Sequence, residues 1–380
     1  MMKKIVYVTG SRAEYGIMKR LLLALDLDPE IELTIVATGM HCDEKYGSTY
    51  QVIENDGFKI DRLIDINLDT SNNAKILNSM SICQSEFGQY FQENKFDAVM
   101  ILGDRYEIFS VAIAAAMHNL PIIHLHGGEK TLGNYDEFIR HAITKMSKLH
   151  LASTEEYRQR IIQMGEHPDT VFNVGALGAE NSLLMDLPSK KQLETKFGLL
   201  EKPYFMVVFH PETLTLVSPS VQVIELLNAL AEFTEQYDFI FIGSNSDTGS
   251  DEITEKVKLF CTMTGSRFIT SVKPEEYLAL NKYSKGLIGN SSSGLIEIPS
   301  LHIPTINIGD RQKGRVKGKS IIDCMCKKND IISSIRLSQS NLLSDNINPY
   351  YKEKVLENIL LIIKRFIKSN LSYTKDFYDK

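Results

Sequence analysis

The sequence predicts an α/β protein made of two doubly wound parallel sheets in tandem. Three observations lead there. At 380 residues the chain exceeds what one ordinary core organises, so two domains are expected. Its strand-like runs are apolar throughout instead of alternating, the pattern of strands covered on both faces. Helix-like segments separate those runs in both halves, which is the order that crossover connections need.

In the first half the strands are "KKIVYVTG" (3–10), "IELTIVATG" (31–39), "FDAVMILGD" (96–104), "PIIHLHGG" (121–128) and "LHLAS" (149–153). Helices such as "YGIMKRLLLAL" (15–25) and "YEIFSVAIAAAMH" (106–118) lie between them. A short run, "VFNVGALG" (171–178), leads away from this half. The second half supplies "PYFMVVFHPET" (203–213), "YDFIFIGSN" (237–245), "SRFITSV" (266–272), "KGLIGNSSS" (285–293) and "PTINIGDR" (304–311). The join falls near 176–202, where "LPSKKQLETKFGLLEKP" is polar and holds two prolines. The expected partition is 1–176, 177–352 and a terminal segment 353–380. In that segment "EKVLENILLIIKRFIKS" (353–369) reads as a long helix with a wide apolar stripe, packed across both domains.

Hydrophobic residues at 43% and charged residues at 24% describe a soluble globular chain. A net charge of −6 gives no basic field, so nucleic acid is not an expected partner. Binding a small anion stays open, because it needs only a local cluster of donors. No signal peptide is evident, and no run approaches the roughly 18 apolar residues of a membrane span. Five cysteines make no disulfide framework, and Cys324 and Cys326 sit too close together for a zinc site. A cytoplasmic location is expected.

Ligands of doubly wound sheets bind outside the carboxyl ends of the strands, and here those ends are polar. Strand one ends in "TGSRAEYG" (9–16), which is not G-x-G-x-x-G and so argues against a nicotinamide cofactor. Its helix-start amides and Arg12 suit an anion, although a turn arginine is otherwise a solvated surface residue. "GLIGNSSSGLIEIPS" (286–300) is more specific: capping needs one serine, while Ser291, Ser292 and Ser293 with two flanking glycines suit a diphosphate. Glu297, read as lying in the first helical turn, suits a pair of sugar hydroxyls better than phosphate. His210, Asn245, Arg311 and Arg315 stand at the same edge, each with a loop-residue alternative.

The stretch "PIIHLHGGEKTLGNYDEFIRH" (121–141) gathers histidines, acids and an arginine at one strand end. His124 and His126, two residues apart, are expected on one strand face. His-x-His with Glu129 is also a metal-ligand spacing, but the surrounding donors look made for anions, and no metal is expected. Asp104, after the neighbouring strand, either caps the helix beginning near Tyr106 or faces the ligand.

Taken together, "TGSRAEYG", "ATGMH", "LGDRYEIFS", "HLHGGEKT…YDEFIRHAITKMS", "FHPET", "GNSSSGLIEIPS" and "NIGDRQKGR" resemble the hydrolysing UDP-N-acetylglucosamine 2-epimerases of bacterial sialic-acid synthesis. The resemblance spans nearly the whole chain. It implies two Rossmann-like domains in the GT-B arrangement, with UDP in the cleft, no metal or other cofactor, and a homodimer or larger homo-oligomer. It implies cleavage of UDP-N-acetylglucosamine with water to UDP and N-acetylmannosamine. By motif, Arg12, Ala13, His210, Asn245, Ser291, Ser292, Glu297 and Arg311 would hold UDP, while Asp104 and Asp136 match acidic positions near the sugar. Many relatives carry glutamate where His126 stands, which leaves the base open among Asp104, His126, Glu129 and Asp136. Met40 replaces the glutamine of the non-hydrolysing branch.

Such chemistry needs two walls. Loss of UDP makes C1 oxocarbenium-like and C2–H removable, so the cleft must stabilise a departing anion and a cationic ring together. Inverting C2 also calls for acid–base groups at two positions, each typically worth ~10²–10⁴-fold. His124, Arg140 and His141 are expected to orient or pair with those groups. The rival expectations are the same reaction on a UDP-2,4-diacetamido sugar, a non-hydrolysing epimerase, a glycosyltransferase and a silent nucleotide-binding module.

Overall fold

Strands apolar on both faces demand cover on both faces, and the chain supplies it with helices. The computed structural model describes residues 2–198, 202–243, 247–340, 347–369 and 374–379. One sheet has seven strands: β1 (Lys3–Thr9), β2 (Ile31–Thr38), β3 (Ile60–Ile64), β4 (Ala98–Leu102), β5 (Ile122–Leu125), β6 (Leu149–Ala152) and β7 (Val171–Asn173). The other has six: β8 (Tyr204–Val208), β9 (Asp238–Ile242), β10 (Arg267–Ile269), β11 (Leu287–Gly289), β12 (Thr305–Ile308) and β13 (Ile321–Cys324). Their orders are β3-β2-β1-β4-β5-β6-β7 and β10-β9-β8-β11-β12-β13. Every pairing is parallel. The two parallel α/β sheets predicted from sequence are present.

Both orders reverse beside the first strand of their sheet, between β1 and β4 and between β8 and β11. At such a reversal the connections leave on opposite faces and open a crevice at the carboxyl ends. The segments that follow those four strands carry Arg12, Asp104, His210 and Ser291. Topology thus brings together four residues that lie up to 279 positions apart, counting from Arg12 to Ser291 (291 − 12).

The helix Arg12–Asp26 shows how the first of these is placed. Ser11 caps it, its side chain accepting from the Glu14 N–H. Tyr15, Met18, Leu21, Leu22 and Leu25 are buried and lock it to the sheet. On its outer side lies the C-terminal helix Val355–Lys368, which buries Val355, Ile359, Ile363 and Ile367 at every fourth position in the same cluster. Each such side chain contributes roughly 1.5–3 kcal/mol. A separate cluster joins Ala152, Tyr157 and Ile161 of the first half to Ile296 and Tyr350 of the second, so part of the seam between the halves is apolar.

Three strands differ from the sequence reading. β3 and β13 were not anticipated, because as edge strands they expose one side and carry Asp61, Arg62 and Asp323 inside otherwise apolar runs. The run at 171–178 does not simply lead away: Val171–Asn173 pairs with β6 and closes the edge of the first sheet. No helix among the described residues is long and apolar enough to cross a membrane, and all five cysteines are free thiols.

Candidate active site

The second sheet builds its wall of the cleft around Asn290. β11 ends at Gly289, whose φ is +143° and whose missing Cβ would lie 1.9 Å from the Val208 carbonyl oxygen. Any side chain would push β11 off β8 there. The next residue, Asn290, is fully buried. Its carboxamide accepts from the His210 N–H and donates to the His210 carbonyl, both at 2.8 Å. Its own carbonyl accepts from Gln312 Nε2 at 2.8 Å and Arg311 Nη1 at 3.4 Å. One amide therefore ties the ends of β8, β11 and β12. Burial, and then Arg311, lower the His210 pKa far below the usual histidine range, so its imidazole is neutral.

Of the three serines only Ser291 engages the helix start, its Oγ accepting from the Ser293 N–H at 3.4 Å. Ser292 occupies the N-cap position of the short helix Ser293–Ile296 and makes no cap bond. Ser291 and Ser293 hydroxyls lie 3.0 Å apart, and Tyr277 OH lies 2.6 Å from Ser293 Oγ. Glu297 follows this single turn as its C-cap and so does not lie in the first helical turn, as the sequence reading had it. Burial raises its pKa to about 7.

The first sheet supplies the acidic wall. Asp104 does not cap the following helix: Arg105 holds that position without a side-chain bond. Asp104 instead accepts from Arg140 Nε at 2.6 Å and from Nη2. Arg140 is fully buried and also donates to the Glu129 carbonyl (2.9 Å), Thr131 Oγ1 (2.8 Å) and Glu137 Oε2 (3.2 Å). Four acceptor groups for one guanidinium fix the end of β4 relative to the helix Asp136–Met146.

His126 and Glu129 form a pair. β5 ends at Leu125, and His126 has a left-handed φ of +65°, so the expected shared strand face with His124 does not extend to it. His126 Nδ1 donates to Glu129 Oε1 at 2.9 Å, and Ser153 Oγ donates to the same oxygen at 2.8 Å. Glu129 Oε2 lies 2.6 Å from Arg315 Nη1. Burial opposes ionisation of Glu129, but Arg315 and then His126 outweigh it and hold the carboxyl well below its usual range. His124 turns elsewhere: its Nε2 donates to the Gly103 carbonyl at 2.8 Å, and burial lowers its pKa to about 3.

Asp136 sits at the start of its helix and accepts from Asn134 Nδ2 at 2.9 Å. Burial, then the charges of Asp104 and Asp247, raise its pKa to about 7, while Arg311 pulls the other way. Arg311 bridges the walls: Nη2 is 3.4 Å from Asp247 Oδ2 and 3.8 Å from Asp136 Oδ2. Its buried Nε has no hydrogen-bond partner among the described residues. Arg12 crosses the cleft at the other end, donating to the Val272 carbonyl (2.6 Å) and Ser271 Oγ (3.1 Å).

Two adjoining cavities result. One, of about 140 Å³, is lined by Asp104, His126, Glu129, Asp136, Arg311 and Arg315, among others. The second, of about 130 Å³, is lined by Arg12, Val272, Tyr277, Ser293 and Glu297, with further apolar groups. Ala13, His210, Ser291 and Ser292 line both. Every site residue expected from sequence therefore lies at this double cavity except Asn245, which is outside the described residues. No group of three or more His, Cys, Asp or Glu among the described residues is arranged to hold a metal ion.

Sequence reasoning missed Asp247, Glu14 and Glu107. Arg105 Nε lies 2.5 Å from Glu107 Oε1 and 3.9 Å from Glu14 Oε1, and its Nη1 lies 3.9 Å from Asp247 Oδ1. Burial and then Glu107 raise the Glu14 pKa to about 8. Glu14 and Glu107 stand inside motifs quoted above and Asp247 lies two residues past Asn245, so proximity to a chosen residue was the available signal.

A family model described as UDP-N-acetylglucosamine 2-epimerase matches residues 23–364. The polysialic acid biosynthesis protein P7 of Escherichia coli is 60% identical over 100% of this chain and 98% of its own length. A Campylobacter jejuni protein named GDP/UDP-N,N'-diacetylbacillosamine 2-epimerase (hydrolyzing) is 38% identical over 84% of each chain. Among solved structures, the Neisseria meningitidis UDP-GlcNAc 2-epimerase bound to UDP-GlcNAc superposes with a TM-score of 0.78 at 18% identity, covering 95% of this chain and 100% of that one. With a family match across most of its length and a relative this similar end to end, the chain belongs to the UDP-N-acetylglucosamine 2-epimerase family.

Proposed function

We propose that the protein is a hydrolysing UDP-N-acetylglucosamine 2-epimerase, converting its substrate and water to UDP and N-acetylmannosamine for sialic-acid or capsule synthesis in the cytoplasm. The observation that carries this reading is the division of one cleft into two walls. Arg311 and the serine turn, on the second sheet's wall, face a departing anion, and four acid–base candidates of the first sheet line the opposite wall. The name of the 60% identical relative supports the pathway. The partition at 176 and 352 and a homo-oligomeric state belong to the same proposal.

In the first step a base takes the C2 proton while the C1–O electrons leave with UDP, giving a 2-acetamidoglucal. In the second, water bonds to C1 and releases a proton, while C2 is protonated on the opposite face. His126 suits the base, since its Nδ1–H is engaged by Glu129 and its other nitrogen remains an acceptor. Glu129, held ionised by Arg315, positions His126 and exchanges no proton. Asp136, protonated up to about pH 7, suits the acid. Asp104, fixed by Arg140, offers a carboxylate to the cationic ring.

One assay tests the reading. UDP-N-acetylglucosamine, given without acceptor, is expected to yield UDP and free N-acetylmannosamine in equal amounts. UDP-N-acetylmannosamine as product would assign the non-hydrolysing reaction, and an acceptor requirement would assign a transferase. The 38% identical relative's name favours one second reading, a UDP-2,4-diacetamido sugar as substrate. The ratio of kcat/KM for the two sugar nucleotides decides between them.

A further inference from the structure

The helix Asp136–Met146 carries Asp136 and Arg140 near its start. Its other end is held by the C-terminal tail. Lys375 Nζ donates to three carbonyls there: Thr144 (3.1 Å), Lys145 (2.7 Å) and Ser147 (2.6 Å). They stand at the helix end, where carbonyls run short of intrahelical donors (Thr144 keeps one, from the Ser147 N–H at 3.1 Å), and a cation is the favourable partner for that end of the dipole. The same ammonium lies 2.7 Å from Glu166 Oε2, a buried carboxylate that also meets Lys145 (2.6 Å) and His150 (2.9 Å).

The tail is seated, not merely adjacent. Tyr378 N–H donates to the Gly165 carbonyl at 2.9 Å. Phe377 lies over Gly165, where a Cβ would come within 2.2 Å of the ring, and Lys145 Nζ stands 4.9 Å from that ring's centre. From Thr144 the contacts run on to the cleft. Thr144 Oγ1 donates to the Arg140 carbonyl at 3.0 Å and lies 3.5 Å from His124 Nδ1. His124 in turn holds the Gly103 carbonyl, next to Asp104, and Arg140 holds Asp104 itself.

We propose that the C-terminal tail is a positioning element of the active site, with Lys375 clamping the far end of the helix that presents Asp136 and Arg140. The proposal rests on the roles given to those two residues above. Lys375 touches no cavity-lining group of the cleft and is a positioning residue, so its loss alters how accurately the acid and the Asp104 carboxylate are placed. Substrate binding by the serine turn and Arg311 lies on the other wall and is left intact.

The test is steady-state UDP release by the full-length chain with Lys375→Ala, Lys375→Arg and Asp136→Asn in parallel, each with a thermal melt. Lys375→Ala is expected to lower kcat about tenfold with KM within about twofold, and Lys375→Arg, which keeps a multidentate cation, to restore most of it. A chain stopped after Ser369 is expected to match Lys375→Ala in kcat while retaining its UDP affinity by calorimetry. Wild-type kcat in Lys375→Ala beside an inactive Asp136→Asn overturns the tail's role and leaves the site reading standing. Equal loss in the Ala and Arg variants, tracking a fall in melting temperature, reduces Lys375 to fold stability and also overturns it. A fully active Asp136→Asn overturns the site reading, and the proposal with it.

Discussion

Asp136 and Glu129 are carboxyls driven in opposite directions, one raised by burial and neighbouring acids and the other depressed by Arg315. Such separation assigns different work to similar groups. Asp136 loses its proton as pH rises through about 7, so the proton-donating form disappears and kcat is expected to decline above that pH. The same shift affects stability. The folded pKa lies above the unfolded value of ~3.9, so the group's contribution is present below pH ~4 and is lost as pH rises through the folded pKa. A kcat–pH profile rising across pH 7–8 would assign Asp136 the base role instead. For Asp104→Asn, loss of turnover with UDP binding intact is expected; loss of UDP affinity would make Asp104 a binding residue. For His126→Gln, turnover should fall by ~10²-fold or more, the scale of a lost acid–base group; near-normal activity would clear it of catalysis.

The strand ends and short turns do the placing. Gly289 lets β11 stop against Val208, and Gly289→Ala is expected to destabilise the second domain by several kcal/mol, in line with backbone strain at a left-handed position next to a carbonyl. A melt within 1–2 °C of wild type would show that the backbone relaxes around the methyl group. The serine turn is different in kind. Ser292 carries no cap bond and Ser291 Oγ accepts only a long one from the Ser293 N–H (3.4 Å), so Ser291→Ala with Ser292→Ala should leave the melt nearly unchanged. KM should rise about tenfold or more, since hydrogen bonds to charged groups are worth about 1.5–3 kcal/mol. An unchanged KM would remove the turn from phosphate binding.

Across the whole molecule, the two halves meet at both ends of the cleft. Arg12 reaches Ser271 and Val272, and the loop at 131–135 interlocks with 213–214 and 310–313. Leu132 N–H donates to the Lys313 carbonyl (3.1 Å) and Leu214 N–H to the Gly133 carbonyl (3.3 Å). A Cβ on Gly133 would lie 2.6 Å from the Asp310 carbonyl oxygen. Gly133→Val is therefore expected to part the loops and cut kcat/KM at least tenfold while each domain stays folded. Unchanged kinetics would mean that this contact does not govern closure.

Periodicity determined the element order, the parallel sheets and the polar strand ends, because burial on both faces leaves a pattern that needs no partner to be read. Motif identity determined which end residues meet at the cleft, since Asp104, His126, His210 and Ser291 follow strands that the topology must gather. Edge strands β3 and β13 escaped, as an exposed side permits the charges that hide a strand. What only the tertiary structure decided is how like groups differ: Glu129 held low beside Arg315, Asp136 raised near Asp104 and Asp247, His124 spent on a carbonyl while His126 meets a carboxylate. Those differences come from distance and burial between residues far apart in the chain, and electrostatic energy depends on both.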